Sequence, residues 1–512
     1  MKAKGLRQLY LTVSVPGITY GAEVWYTAIH QPSGHARKKG SVAITNKIRS
    51  TQRKVAKTIT GALATTAGDV LDVHAFLLPI DLMFRKVQFR AASRICALPA
   101  SHPLHKVVRK AANRLVKRHR SPLHNLLYSS RLRPSEVETI TPTRRSPSYR
   151  PVFDCIRLED KDKALEAAEA LHSSCRYKIY CDGSGLEKKI GALALLYIGN
   201  RLSKTLHFHL GSEDKHTVYE AESVGLLMGL HMLNNVSLQL HGTVLLGSDS
   251  QALSRALGNQ SAHPGQYLID EIHTMAEHLQ VKQDGIINAA EKRASVRSGE
   301  NWKGRKRGVI DLQLHWIPAH SDFEPNERAD EEAKRAAQGL SSDAKLLPKI
   351  LRRSLPASVP ALRQDHDNRL LKRWKRRWKS SPRHRALHPL DDSIPSRKYL
   401  HLTQDLERRQ ASLLIQLRTG HIGLNQHLFR IRKAETPTCP HCRGITVETV
   451  KHFLLVCPKY AHERHQLRHQ LRRKADSLPF LLSSPAAIKP LLKFVNSTGR
   501  FHSTFGNLES TL

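Results

Sequence analysis

Acidic residues are scarce in this chain. Its 512 residues include 44 Asp plus Glu against 82 Lys plus Arg, a formal net charge of +38, and the basic residues are spread along the whole length. Such a field attracts polyanions. A disordered basic protein would carry the same charge, but 40% hydrophobic residues are enough for packed cores, so nucleic acid is the expected partner. Cysteines are also few. Cys96, Cys155, Cys175, Cys181, Cys439, Cys442 and Cys457 are too unevenly spaced for a disulfide framework, which points to a reducing, intracellular compartment, nucleus or cytoplasm, rather than secretion. No run reaches the ~18–20 apolar residues that span a bilayer, so no membrane partner is expected. Lys2, Lys4 and Arg7 ahead of the apolar run Leu9 to Val15 imitate a signal peptide, but Pro16 cuts the run and no small-residue cleavage pattern follows. No internal repeat is visible.

The length exceeds what one core supports and implies two to four compact units. Residues 1–130 read as mostly helical, with Leu77, Leu78, Ile80, Leu82, Met83, Val87, Phe89 and Ala92 at helical spacing. An Arg-, Pro- and Ser-rich stretch with Pro134, Pro142, Pro147 and Pro151 follows, so 131–170 is expected to be a linker. The pattern then turns to strands: Tyr177 to Cys181, Ile190 to Ile198 and Leu202 to Leu210, broken by a Gly-Ser turn and by Gly199-Asn200. Helical and strand patterns then alternate to complete the order βββαβαβα. The fold expected for 171–342 is α/β, a mixed five-stranded sheet with flanking helices, and 281–308 reads as an exposed insertion because it lacks apolar periodicity. Beyond lie a basic helical arm (343–430), a Cys/His segment (431–470) and a tail (471–512).

Four acids stand out by position. Asp182 follows the first strand, in Tyr-Cys-Asp-Gly-Ser-Gly, and Asp249 follows the fourth, in Leu-Gly-Ser-Asp-Ser-Gln. Strand ends aim side chains into the crevice where α/β folds bind ligands. Glu222 shares a helical stripe with Val218, Gly225, Gly229 and Leu233, whereas Glu220 points elsewhere. Asp330 shares one with Asn326, Ala333 and Ala337. No Lys or Arg is visible on either stripe, so carboxylates facing a packed surface call for a cation. Four converging carboxylates suit Mg²⁺, with Mn²⁺ as the alternative ion. Two such ions ~3.5–4 Å apart would activate a water and stabilise a leaving 3′ oxygen. His320, on the loop after the last strand, is placed to move a proton. Each acid alone has an ordinary reading as a turn, helix-edge or helix N-terminal residue. Their joint placement is what argues for a site.

The segments YCDGSG, VYEAESVGLL, LLGSDSQAL and WIPAHSDFEPNERADEEAKRAA resemble, in order, the four motifs of type 1 ribonuclease H. The resemblance covers about a third of the chain. It implies cleavage of the RNA strand of RNA/DNA hybrids, with Asp182, Glu222, Asp249 and Asp330 as metal ligands and His320 as the loop histidine. The chain departs from the family at Ala319 and Pro325, where the family has glycine. Both changes stiffen the histidine loop and imply reduced activity.

Cys439, Cys442, His452 and Cys457 have spacings that suit a closed, structural zinc site, with Pro440 and Gly444 permitting a tight knuckle and Val447 to Val456 a helix that presents His452. Upstream, Lys372, Arg373, Lys375, Arg376, Arg377 and Lys379 surround Trp374 and Trp378. Two readings stay open: indoles that stack on bases of single-stranded RNA or DNA, or indoles packed into a core. SLLIQLRTGHIGLNQHLFRI followed by CPHCRGITVETVKHFLLVCPKY resembles the C-terminal end of fungal, Tad-like non-LTR retrotransposon polyproteins. LRQLYLTVSVPGITYGAEVWYT resembles the thumb and connection of their reverse transcriptase. A polymerase palm needs acids ahead of residue 1 or an Asp-Asp turn between strands. The one Asp-Asp pair, Asp391-Asp392, lies between Pro389 and Pro395, so DNA synthesis is not expected of this chain. The remaining alternatives are a non-catalytic nucleic-acid-binding relic and a transposase-like enzyme, against which Glu222 and the His320 loop argue.

Overall fold

The computed structural model describes residues 3–31, 37–114, 116, 120–142, 145–146, 148–236, 239–259, 261–298, 306–319 and 321–508. They form two compact units, Phe89–Asp367 and a second one built from both flanks, Met1–Gln88 with Asn368–Leu512. The α/β architecture with mostly helical flanks is the one expected.

The Phe89–Asp367 unit holds one mixed sheet of strands β1 (Phe153–Ile156), β2 (Tyr177–Leu186), β3 (Lys189–Ile198), β4 (Arg201–Ser212), β5 (Gly242–Ser248) and β6 (Ile310–Trp316) in the order β1-β6-β5-β2-β3-β4. β1, β6, β5 and β2 run parallel, and β2, β3 and β4 form an antiparallel meander. Side chains alternate across the sheet. Ile179, Cys181, Ala192, Ala194 and Leu196 pack under the helices Val218–Asn234 and Gln266–Ser298. Tyr180, Leu193, Leu195 and Tyr197 pack with Ala168, Ala329 and Ala333, from the helices Lys161–Ser174 and Glu324–Ala337. The central strands β2, β3 and β5 are therefore buried on both faces over most of their length, while β1 and β4 at the edges are partly exposed.

Three expectations need correction here. The sheet has six strands, not five: β1 is a four-residue run too short to show a period. It lies inside the supposed linker 131–170, which also carries the Lys161–Ser174 helix, capped by the Asp160 side chain. That stretch is docked rather than free, since Glu138, fully buried, accepts the backbone N–H groups of Gly265 and Val359 at 2.6 Å each. Next, Gly183-Ser184 is not a turn. β2 runs on to Leu186, and the chain reverses at Glu187-Lys188, both in left-handed conformation at φ 49 and 65. Last, residues 281–298, expected to be an exposed insertion without apolar periodicity, continue the Gln266–Ser298 helix. Polar side chains anchor that helix where apolar ones are missing. Gln283 accepts the Leu240 amide at 2.9 Å, Asp284 accepts those of Gly308 and Val309, and Asn288 pairs with the Lys306 backbone.

In the second unit one core draws Tyr10, Ala56, Ile59, Leu71 and Leu77 from the N-terminal flank, and Leu413, Ile415, Phe453, Leu467, Leu491 and Phe494 from the C-terminal one. An ion pair is buried in it: Arg418 meets Asp391 at 3.0 Å, with side chains 0% and 2% exposed, and also donates to the Leu482 carbonyl and Ser483. Burial alone would raise the Asp391 carboxyl, but the Ser393 hydroxyl and Arg418 outweigh it and hold it below the ordinary range. Among the described residues no helix is long and apolar enough to cross a membrane.

Candidate functional site

The parallel pairing of β2 with β5 ends at Tyr180 and Gly247, while β2 continues along β3, where Asp182 faces Leu193. Asp182 therefore lies inside a strand, on the edge that β5 has released. Asp249 occupies the joint after β5. The Ser250 amide donates to the Ser248 hydroxyl at 3.2 Å, and Ser250 caps the helix Gln251–Leu257. The Trp316 indole N–H, at the end of β6, donates to the Asp249 carbonyl at 2.9 Å and fixes that joint. Sequence reasoning missed this positioning contact, although the tryptophan opens the last of the quoted motifs.

Glu222 reaches the same place from above because its helix sits unusually close to the sheet. A Cβ on Gly183 would stand 2.6 Å from the Glu222 amide nitrogen, and one on Gly225 would stand 2.7 Å from the Leu193 carbonyl. Only glycine at these positions permits that approach. Thr217 and Glu220 form a capping box that starts the helix, which places Glu220 elsewhere as expected.

Ligand oxygens of Asp182, Glu222 and Asp249 lie within 4.8 Å of one another. Asp182 and Glu222 are only 7% and 6% exposed. Burial, with the charge of Asp249 next, pushes the Asp182 carboxyl up to about 7. Burial, then Asp182 and Asp249, pushes Glu222 well above its ordinary value. One Glu222 oxygen, Oε2, is buried without a hydrogen-bond partner. Three crowded hard oxygen donors, one of them unsatisfied, fit a divalent cation of the Mg²⁺ or Mn²⁺ kind.

Asp330 stands outside that group. It lies on the Glu324–Ala337 helix, where Lys334, one turn on, donates to it at 2.6 Å. The expectation that no cation shares its stripe is thus corrected: the two side chains are 29% and 48% exposed, at the rim where an i,i+4 pair forms readily. The hydrogen bond to Asp330 raises the Lys334 ammonium pKa, and the Asp330 charge still reaches Asp182. His320 lies outside the described residues. Its neighbour Asp322 turns through φ 55, and Pro325 sits in the first turn of the helix.

Cys439, Cys442, His452 and Cys457 also converge, with donor atoms within 4.8 Å of one another. Sγ of Cys457 is 3.8 Å from that of Cys439 and 3.9 Å from that of Cys442, and Cys442 Sγ is 3.4 Å from His452 Nε2. Ligands ~2.0–2.3 Å from a shared tetrahedral ion would stand roughly 3.6–3.8 Å apart, so this donor set fits zinc. Burial lowers the His452 pKa, the direction that favours the neutral ring a metal ligand needs. Arg443 and Gly444, at φ 50 and 77, make the knuckle. Val447 pairs with Thr438 in a β-bridge instead of starting a helix, and His452 is presented by a single π turn, His452–Val456.

Trp374 and Trp378 are each 3% exposed and pack with Val70, Val73, Leu82, Leu370, Leu387 and Ile394. The packing reading holds, and neither indole is available to stack on a base.

No family model and no curated protein matches this chain. Among solved structures it is similar to RNase H1 from the halophilic archaeon Halobacterium salinarum NRC-1, with 17% identity over 32% of this chain and 100% of that one, at a TM-score of 0.22. It is also similar to the N-terminal RNase H domain of a Mycobacterium tuberculosis protein, with 15% identity over 32% and 97% of the two chains, at a TM-score of 0.21.

Proposed function

We propose that the Phe89–Asp367 unit is a ribonuclease H-like nuclease that hydrolyses the RNA strand of RNA/DNA hybrids, in a protein of retrotransposon descent. The observation that carries this reading is the convergence of Asp182, Glu222 and Asp249 with an unsatisfied, buried Glu222 oxygen. The order of the four sequence motifs supports it. A divalent cation held by these acids would supply Lewis acidity toward the phosphodiester. The rest falls to the chain. Asp182, Glu222 and Asp249 hold the charge needed to recruit the cation, on elements fixed by strand pairing and by glycine-mediated packing. Asp330 would join the set from the rim on release by Lys334. His320 takes up or returns a proton as water adds to phosphorus and the bond to the 3′ oxygen breaks. Selectivity for hybrids rests on sensing 2′ hydroxyls on one strand and deoxyribose on the other.

The test is cleavage of a labelled RNA/DNA hybrid by the whole protein with Mg²⁺, beside duplex DNA, duplex RNA and the Asp249→Asn variant. Cleavage of the hybrid alone, lost in the variant while binding persists, is the expected result. A second reading, a nucleic-acid-binding relic, is favoured by the Lys334–Asp330 pair, which neutralises one expected ligand. Binding without cleavage in the unaltered protein would establish it.

A further inference from the structure

The buried tryptophans leave the second unit without the stacking surface that the basic arm suggested, but another aromatic side chain is displayed among cations. Phe429, near the end of the short helix Asn425–Arg430, is 47% exposed. It lines a shallow concavity of about 690 Å³ with Arg430, Arg432, Lys433, Ala434 and Glu435. Three cations face one acid there. Among the described residues none of the three is in an ion pair, although Arg430 donates to His427 at 2.9 Å.

The backbone holds this display in place. The Lys433 amide donates to the Leu428 carbonyl at 2.8 Å, and that of Arg432 to the Phe429 carbonyl at 2.9 Å. This pair of bonds is a Schellman closure, whose C′ residue is usually glycine. Here it is Arg432, at φ 59. A residue with a side chain is less favourable than glycine in this left-handed conformation. The helix start is tied down as well. The Asn425 amide donates to Glu448 at 2.6 Å and its side chain to the Thr438 carbonyl at 2.8 Å. Arg500 in turn clamps Glu448 through two bonds of 3.0 and 3.1 Å.

We propose that Phe429, with Arg430, Arg432 and Lys433, forms a docking surface for an unpaired nucleic-acid strand: one base stacks on the ring and the guanidinium and ammonium groups track the flanking phosphates. An exposed ring is accessible to a splayed base and not to a base held in a duplex, and the cations complement a polyanion. The site is independent of the carboxylate cluster.

Anisotropy titrations of the whole protein, purified without chelator and held in magnesium-free buffer, test this against 12-nucleotide unpaired RNA and DNA, duplex DNA and polyglutamate. Phe429→Ala should weaken both unpaired strands about tenfold and duplex DNA less than twofold. Arg432→Gly should lower the salt dependence of unpaired-strand binding by about one phosphate contact with no loss of melting temperature, since glycine suits that backbone. Unchanged affinity of both variants for unpaired strands would overturn the proposal. So would an equal loss toward polyglutamate in Phe429→Ala, which would make the patch a general anion surface. Hybrid cleavage measured in parallel keeps the two readings apart, because failure to cleave leaves these titrations unaffected.

Discussion

Replacing Asp182 by Asn should make the magnesium-free protein more stable while abolishing its cleavage of hybrids. Asp182 is buried beside Glu222 and Asp249, and its carboxyl is raised from 3.8 to about 7. Each tenfold change in proton affinity is worth ~1.4 kcal/mol, so holding this group ionised in the folded state costs roughly 4 kcal/mol. The direction follows from linkage: an acid with a raised folded-state pKa destabilises once the unfolded chain has ionised. The penalty is absent below pH 3.8, builds as pH rises toward 7, and is complete above it. An amide carries no charge but must itself be buried, so a net gain of about 2–3 kcal/mol is expected at pH 8. For a unit of this size that is on the order of 5–10 °C in melting temperature. Thermal melts of both proteins at pH 4 and pH 8, with and without saturating Mg²⁺, read it directly. The variant should melt higher at pH 8 without metal, the gap should close at pH 4, and Mg²⁺ should raise the unaltered protein alone. Equal melting temperatures at pH 8 without metal, or a gap that persists at pH 4, would refute the reasoning.

Lys334→Ala frees Asp330 and should lower the Mg²⁺ concentration for half-maximal cleavage severalfold. Global stability should move by less than ~1 kcal/mol, since the pair lies at a partly exposed rim where solvent screens it, as a magnesium titration beside a urea melt would show. If Cys439, Cys442, His452 and Cys457 hold zinc, a strong chelator, or Cys442→Ser, should loosen the second unit, detected as new amide exchange around 437–460, and leave that of β2 and β5 unchanged. Arg418→Met strands the buried Asp391 and should cost about 3–5 kcal/mol in urea unfolding of the second unit. The double change with Asp391→Leu should recover much of it.

The three central carboxylates were legible because each sits beside a local signal: an apolar strand before Asp182 and Asp249, and small residues spaced along the face of Glu222. Lys334 was equally visible, four residues after Asp330, but the stripe was drawn through Ala333, three residues on, and passed it by. β1 was hidden because Phe-Asp-Cys-Ile has neither length nor alternation, and it becomes a strand only because β6 offers an open parallel edge. The 281–298 helix was hidden for the opposite reason, since Gln283, Asp284 and Asn288 anchor it and an apolar period cannot register them. Trp374 and Trp378 show the limit of composition. Flanking charge suggested exposure, while Val70, Val73 and Leu82, some three hundred residues earlier, decided burial.

The split composition of the second unit sets an order of events during synthesis. Phe89–Asp367 is complete while residues 368–512 are still to be made, an interval of roughly 7–30 s at ~5–20 residues per second. During that time the N-terminal flank, with Tyr10, Ile59, Leu71 and Leu77 awaiting partners such as Leu413 and Phe494, has half a core. All residues of the sheet and its carboxylate cluster are thus synthesised before those of the Cys/His knuckle and the Phe429 surface.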